Sequence, residues 1–331
     1  MGRWGWTLLV AAMGCAPLVQ DKGVVADDTS TRDDTDAPLD TPTASSGVVH
    51  VVLFTHIEDN APAGELGTSQ NRAAYLRLRT ELLAVATRAH ARGIPFVVQP
   101  DWKILEAALR YESVDVMADT GGVNAWVYLR DTLGCTLDPH SHENGGYNYT
   151  DVAALLERLG VGGSTVIGGH IWDPSLPEFQ HWDRFRTSQK GERYPEASWR
   201  GDILIGAGTP NHVNDPLVSG VWRPKDADHF FEDDPAANIV AVGMWDGEVE
   251  GVATLVEAYA SGAVPSTTLL TAGWNIQPMD YAGPTGADAV DASTFAPLAA
   301  LQSEGTVVVE DFQATVAAWQ DAGGVAATYA P

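Results

Sequence analysis

The sequence predicts an α/β fold, a distorted (β/α) barrel of mostly parallel strands, on three observations. Short apolar runs alternate with longer amphipathic stretches from residue 48 to the end of the chain. The runs number about seven in one uninterrupted domain, 47–331, which suits a closed sheet with crossover helices. Polar clusters follow two of the runs, and function in such a barrel collects where strands end.

The elements come in order. Val48 to Phe54 is a continuous apolar run and reads as a buried strand. Residues 69–92 read as a helix, because Tyr75, Leu78, Leu82, Val85 and Ala89 recur three and four apart on one face. Gly93 and Pro95 stop it. A second strand is expected at 94–98, helices near 101–112 and 122–133, and a short third strand at 135–138. Thr150 is expected to cap a helix that runs to Gly160, with Asp151 in its first turn. A fourth strand follows at 164–167. The stretch 170–235 has little periodicity apart from a strand at 202–206. Strands at 238–243, 267–271 and 306–309 then alternate with helices at 247–261, 293–303 and 311–321.

Ahead of the domain, Arg3 precedes an apolar stretch from Trp4 to Gly14. It is too short to span a bilayer and suits the h-region of a signal peptide. It ends in Ala12-Met13-Gly14-Cys15, which resembles the lipobox of bacterial lipoproteins. That resemblance implies residues 1–15 as a lipoprotein signal peptide, Cys15 as the lipidated residue, and a protein exported and anchored to the cell envelope. Residues 16–46 are rich in Asp, Thr, Ser and Pro, so they are expected to form a flexible acidic linker. A lipid on Cys15 leaves Cys135 without a disulfide partner, because the chain has two cysteines. The formal net charge of −25 lacks the basic footprint of a nucleic-acid binder. The expected contact with a membrane is the N-terminal lipid only, and the domain is expected to be a monomer.

The first strand runs into Thr55-His56-Ile57-Glu58-Asp59-Asn60, and the third into Asp138-Pro139-His140-Ser141-His142-Glu143-Asn144. In an extended segment positions i and i+2 point the same way, so His140 and His142 can face one ion. Asp59 would complete a His-His-carboxylate set for a divalent metal, with zinc the expected ion. Glu58 is then the candidate general base.

This arrangement resembles the NodB-type polysaccharide deacetylases and the wider barrel superfamily of glycoside hydrolases and deacetylases. The acidic pair carries over to Glu58 and Asp59, and the histidine motif to His140 and His142. Gly220-Val221-Trp222-Arg223-Pro224 resembles the family's Arg-and-Pro motif, which implies Arg223 as the residue that orients a catalytic acid. The resemblance implies a metal-dependent hydrolase that removes acetyl groups from a surface or extracellular carbohydrate polymer. The chain departs from the family pattern in its histidine spacing, its leading Glu, and the lack of any His after His229. Two alternatives therefore stay open: a non-catalytic glycan-binding lipoprotein, and a glycosidase working with two carboxylates. Eleven tryptophans add a clue, since indole faces stack on sugar rings. Trp172 and Trp222, in loop-like stretches, are the candidate substrate-binding pair.

Overall fold

In the computed structural model, residues 47–169, 177–206, 217–245 and 247–330 are described. The expected signal peptide with Cys15, the expected linker 16–46, and Trp172 lie outside the described residues.

The first strand, β1 (Val49–Ile57), is followed by α1 (Ser69–Ala91), β2 (Val97–Pro100), α2 (Trp102–Tyr111), α3 (Ala125–Asp131), β3 (Thr136–Leu137), α4 (Tyr149–Arg158) and β4 (Val166–Ile167). A small antiparallel pair, β5 (Gln189–Lys190) and β6 (Ser198–Trp199), precedes β7 (Ile203–Ile205). Then come β8 (Val221–Trp222), β9 (Val240–Val242), α5 (Glu248–Ala260), β10 (Leu270–Asn275), α6 (Gly286–Val290), α7 (Ala296–Ser303), β11 (Val307–Val309) and α8 (Phe312–Asp321).

The pairing closes a ring. In parallel, β1 pairs β2, β2 pairs β3, β4 pairs β7, β7 pairs β9, and β10 pairs β1. Two parallel bridges complete it, His140 to Gly168 between the β3 and β4 ends, and Trp245 to Ala272 between β9 and β10. The ring thus holds seven parallel strands, as the alternating pattern predicts. Beside it, β11 lies parallel to the start of β1, and β8 runs antiparallel on β9.

Side-chain alternation divides each strand between two cores. Val52 and Phe54 of β1 pack with Val97, Val166, Ile203, Ile205, Val242 and Met244 in one buried cluster, which Phe312 and Val316 of α8 join. Val49, Val51, Leu53 and Ile57, of the opposite parity, pack against Tyr75, Leu78, Leu82 and Val85 of α1. Each of those helix side chains contributes about 1.5–3 kcal/mol on burial. The even-numbered face of β1 therefore lines the barrel, and it leads onward to His56 and Glu58.

Local signals mostly agree with the sequence, with informative exceptions. The cap of α4 is Asn148, not Thr150. Its side chain accepts from Asp151 N, and the Asp151 carboxylate accepts from Asn148 N in return. Asp151 also accepts from the backbone N–H groups of Glu192, Arg193 and Tyr194, which ties that loop to the helix start. Helix begins before residue 293, because α6 and a π turn (Asp291–Phe295) lead directly into α7. The Pro/Gly-rich sequence before it hides that start.

Among the described residues, the Trp-rich middle forms an aromatic core. Trp182, Phe185, Trp222 and Phe230 pack together with Tyr149 and Ile167. Trp222 is fully buried, and its Nε1 donates to the Phe230 carbonyl at 2.7 Å. The substrate-binding role expected of Trp222 does not fit that position: a buried indole whose N–H is satisfied within the core offers no face to a sugar.

Cys135 is buried against the outer core, and burial pushes its thiol up to about 12. A thiolate, the reactive form, is scarce there at neutral pH. Cys135 is expected to stay unreactive toward a thiol-labelling reagent in buffer and to react fully in denaturant. Rapid native labelling would contradict this placement.

Candidate metal centre at the C-terminal ends of the strands

Three adjacent strands deliver polar side chains to the same end of the barrel. From β1 come His56 and Glu58, on the interior parity of Val52 and Phe54. From β2 come Gln99 and, just past its end, Asp101. Beyond β3 come Asp138, His140 and His142, again two apart. Of these, His56, Gln99, Asp101, Asp138 and His140 are buried.

Glu58 is the hub. Its Oε2 lies 3.0 Å from His140 Nε2 and 2.5 Å from His142 Nε2. Its Oε1 stands 4.0 Å from His56 Nδ1. The His56 and His140 rings stack with centroids 4.5 Å apart. Burial raises the Glu58 carboxyl, but the hydrogen bonds to His140 and His142 outweigh it and hold the group below the usual carboxylate range. Burial, aided by the His140 charge, pushes His56 down to about 3, so His56 is a neutral imidazole. His142 moves the other way: the bond to Glu58 raises it against a partial burial cost.

Neighbouring backbone and side-chain groups fix these residues. His140 Nδ1 faces the Gly168 carbonyl at 3.1 Å, and a carbonyl only accepts. His140 therefore carries a proton on Nδ1 and turns Nε2 toward Glu58. Tyr149 Oη also donates to that carbonyl, at 2.7 Å. Asp101 Oδ1 accepts from Trp102 N at 2.6 Å, and Oδ2 accepts from His142 N at 3.1 Å. It thus ties the β3–α4 loop to the start of α2. Deeper in the barrel, burial pushes the Asp138 carboxyl up to about 7, opposed by bonds from Ser164 Oγ and Gln99 Nε2.

These groups suit a divalent cation. His56, Glu58 and His140 each offer a ligand atom within 4.8 Å of the others, and so do Asp101, His140 and His142. The His56 nitrogen turned toward Glu58 is Nδ1, and its imidazole is neutral, as a metal ligand must be. With Nδ1 committed to the Gly168 carbonyl, His140 Nε2 points at the Glu58 carboxylate, and a cation can take the place of the proton shared between that nitrogen and oxygen.

Of the residues the sequence singles out, Glu58, His140 and His142 meet here. Asp59 does not join them. It has the opposite parity to Glu58, and its Oδ2 accepts from Asn144 Nδ2 at 2.5 Å. Arg223 stands at the other end of the barrel. Because β8 runs antiparallel to β9, the end of β8 lies beside the start of β9. There Arg223 lines a cavity of about 630 Å³ with Thr165, Asp202 and Asn238, each just ahead of a parallel strand. Its guanidinium is held by Asp233 at 2.9 and 2.6 Å and lies over the Trp319 ring. Orienting an acid at the Glu58 end is therefore not open to it. His56 and Asp101 also reach this centre, and neither is a candidate in the sequence reading. The two-residue step that joins His140 to His142 also joins His56 to Glu58, so His56 was within reach of the same rule. Asp101 reads from sequence only as a helix cap.

Gly169 shows how closely β4 approaches the centre. A Cβ at this position would come within 2.0 Å of His140 Nδ1, and its φ of +70° favours glycine. Gly169→Ala is expected to displace His140 and weaken metal binding by roughly 10–100-fold, the cost of losing an outer-shell partner. Unchanged affinity in a metal titration would contradict this.

No protein-family model matches the sequence, and no curated protein matches it. Solved structures do resemble it, among them three at low identity. A 4-alpha-glucanotransferase from Thermococcus litoralis is 9% identical, with TM-score 0.45, over 82% of this chain. This chain spans only 40% of that protein's length. The Puue allantoinase is 11% identical, with TM-score 0.47, over 84% of this chain and 92% of its own. A probable polysaccharide deacetylase from Pseudomonas aeruginosa is 11% identical, with TM-score 0.45, over 82% and 91%. The chemistry of the site rests on its own geometry.

Proposed function

We propose that this protein is a metal-dependent hydrolase that removes acetyl groups from an extracellular carbohydrate. One observation carries the reading: His56, Glu58, Asp101, His140 and His142 converge at the C-terminal ends of adjacent parallel strands, where barrel enzymes keep their chemistry. The carbohydrate substrate rests on the family resemblance of the acidic pair and the histidine motif. An anchor at Cys15 followed by an acidic linker, both read from the sequence, would hold a monomeric domain within reach of polymers near the envelope.

In this reading His56, Glu58 and His140 hold the ion, and zinc suits their nitrogen and carboxylate donors. The ion supplies a Lewis acid that polarises an acyl carbonyl and acidifies water. The Gly168 carbonyl orients His140, and Asp101 orients His142 through its backbone. His142 is half-exposed and bonded to Glu58, so it can hold a proton at Nε2 and pass it to the leaving group at the mouth, while the proton the water gives up restores it. Glu58 thus moves from general base to ligand, since it shares the interior parity of His56.

The alternative donor set is Asp101, His140 and His142. Metal titration of two variants separates the sets. His56→Ala is expected to weaken binding far more than Asp101→Asn, and the reverse order would move the ion to the second set. If both variants and the wild type bind metal equally, the ion lies elsewhere. Acetate release from acetylated oligosaccharides, lost in His142→Ala with metal retained, tests the reaction itself.

A further inference from the structure

Most tryptophans near the strands are buried, but Trp102 is half-buried and stands at the rim of the candidate centre. It directly follows Asp101, which accepts its backbone N–H. Its indole Nε1 donates to Asn144 Oδ1 at 3.3 Å, and Asn144 in turn bonds Asp59, the neighbour of Glu58. Tyr147 lies flat against the indole, centroids 4.6 Å apart and planes within 3°. Tyr147 is itself braced: its hydroxyl and that of Tyr194 both donate to Glu106 Oε1, at 2.9 and 2.8 Å. Gly145 also packs against the indole, since a Cβ there would come within 3.0 Å of it. The ring is thus held from behind, hydrogen-bonded at its edge, and flanked by an amide and a carboxylate.

We propose that Trp102 is the platform on which a pyranose ring of the substrate stacks, beside the residue that reacts. An immobilised aromatic ring with planar polar groups at its edge matches the apolar face and hydroxyl rim of a sugar. This rests on the hydrolase reading above and deepens it: the substrate is an oligosaccharide spanning more than the reacting unit. Trp102 takes no part in holding metal or moving protons. It is a specificity-determining residue.

The test uses the purified full chain, loaded with zinc, and two probes: an N-acetylglucosamine tetramer and an acetylated xylose tetramer. Binding is read by calorimetry, and metal content by mass spectrometry. Wild type is expected to bind at least one tetramer. Trp102→Ala is expected to bind it about tenfold more weakly, with zinc content unchanged, while Trp102→Phe stays within about threefold. Equal binding by Trp102→Ala and wild type would overturn the proposal. So would a wild type that holds zinc but binds neither tetramer, and in that case the metal-site reading survives. Loss of zinc from wild type itself would instead sink the hydrolase reading on which the platform rests.

Discussion

Replacing His140 with alanine is expected to abolish stoichiometric metal binding. His140 belongs to both possible donor sets, so neither can compensate for its loss. Removing an outer-shell partner typically costs 10–100-fold in affinity, and a shared ligand is worth more than that. The substitution also leaves the Gly168 carbonyl without its His140 contact, though Tyr149 still donates to it. The fold should therefore persist. A metal titration, with circular dichroism to verify folding, measures both. A folded His140→Ala variant that binds metal as tightly as wild type would exclude both donor sets.

The largest expected stability effect lies outside the site, at Arg79 of α1. Its guanidinium is almost wholly buried and donates to Glu112 Oε1 at 2.8 Å, and Glu112 is equally buried. Two further bonds at 2.8 Å reach Asp119, which is exposed and so contributes little by itself. Tyr75 Oη also donates to Glu112 Oε1, at 2.6 Å. Arg79→Met removes the positive charge and leaves the Glu112 carboxylate buried and unpaired. Breaking such a pair costs about 3–5 kcal/mol, enough to lower the Tm by roughly 10 °C in a domain of this size. The double variant Arg79→Met/Glu112→Met is expected to recover most of that loss, because no unpaired charge remains. Thermal unfolding of the three proteins measures it. Equal Tm for wild type and Arg79→Met would show that the pair contributes nothing.

Much of the fold is legible in the sequence, because its strands are continuous apolar runs buried on both faces. The run at 48–54 reads as a strand inside a covered sheet, and the spacing from Tyr75 to Ala89 reads as a helix lying on one. What misled lay where local chemistry has two meanings. Tryptophans between 182 and 222 are equally at home in a sugar cleft and in an aromatic core, and packing decided for the core. Arg223 follows a strand, as a site residue should, but that strand runs antiparallel, which reverses the end of the barrel it faces. Nothing local to β8 carries that direction. The site is legible in part for a similar reason. Period two placed His140 with His142, and the same period moves Asp59 out and His56 in. Asp101 and Trp102 reached the site through strand pairing over long sequence distances, which no single segment encodes.

We propose that the strand ends of this barrel hold one divalent cation among His56, Glu58 and His140. Inductively coupled plasma mass spectrometry of the full chain, supplemented with zinc and freed of loose ions, tests it most directly. The expected result is one zinc per chain, lost in His140→Ala and retained in Arg223→Met. A wild-type protein that is folded and holds no stoichiometric metal would contradict it.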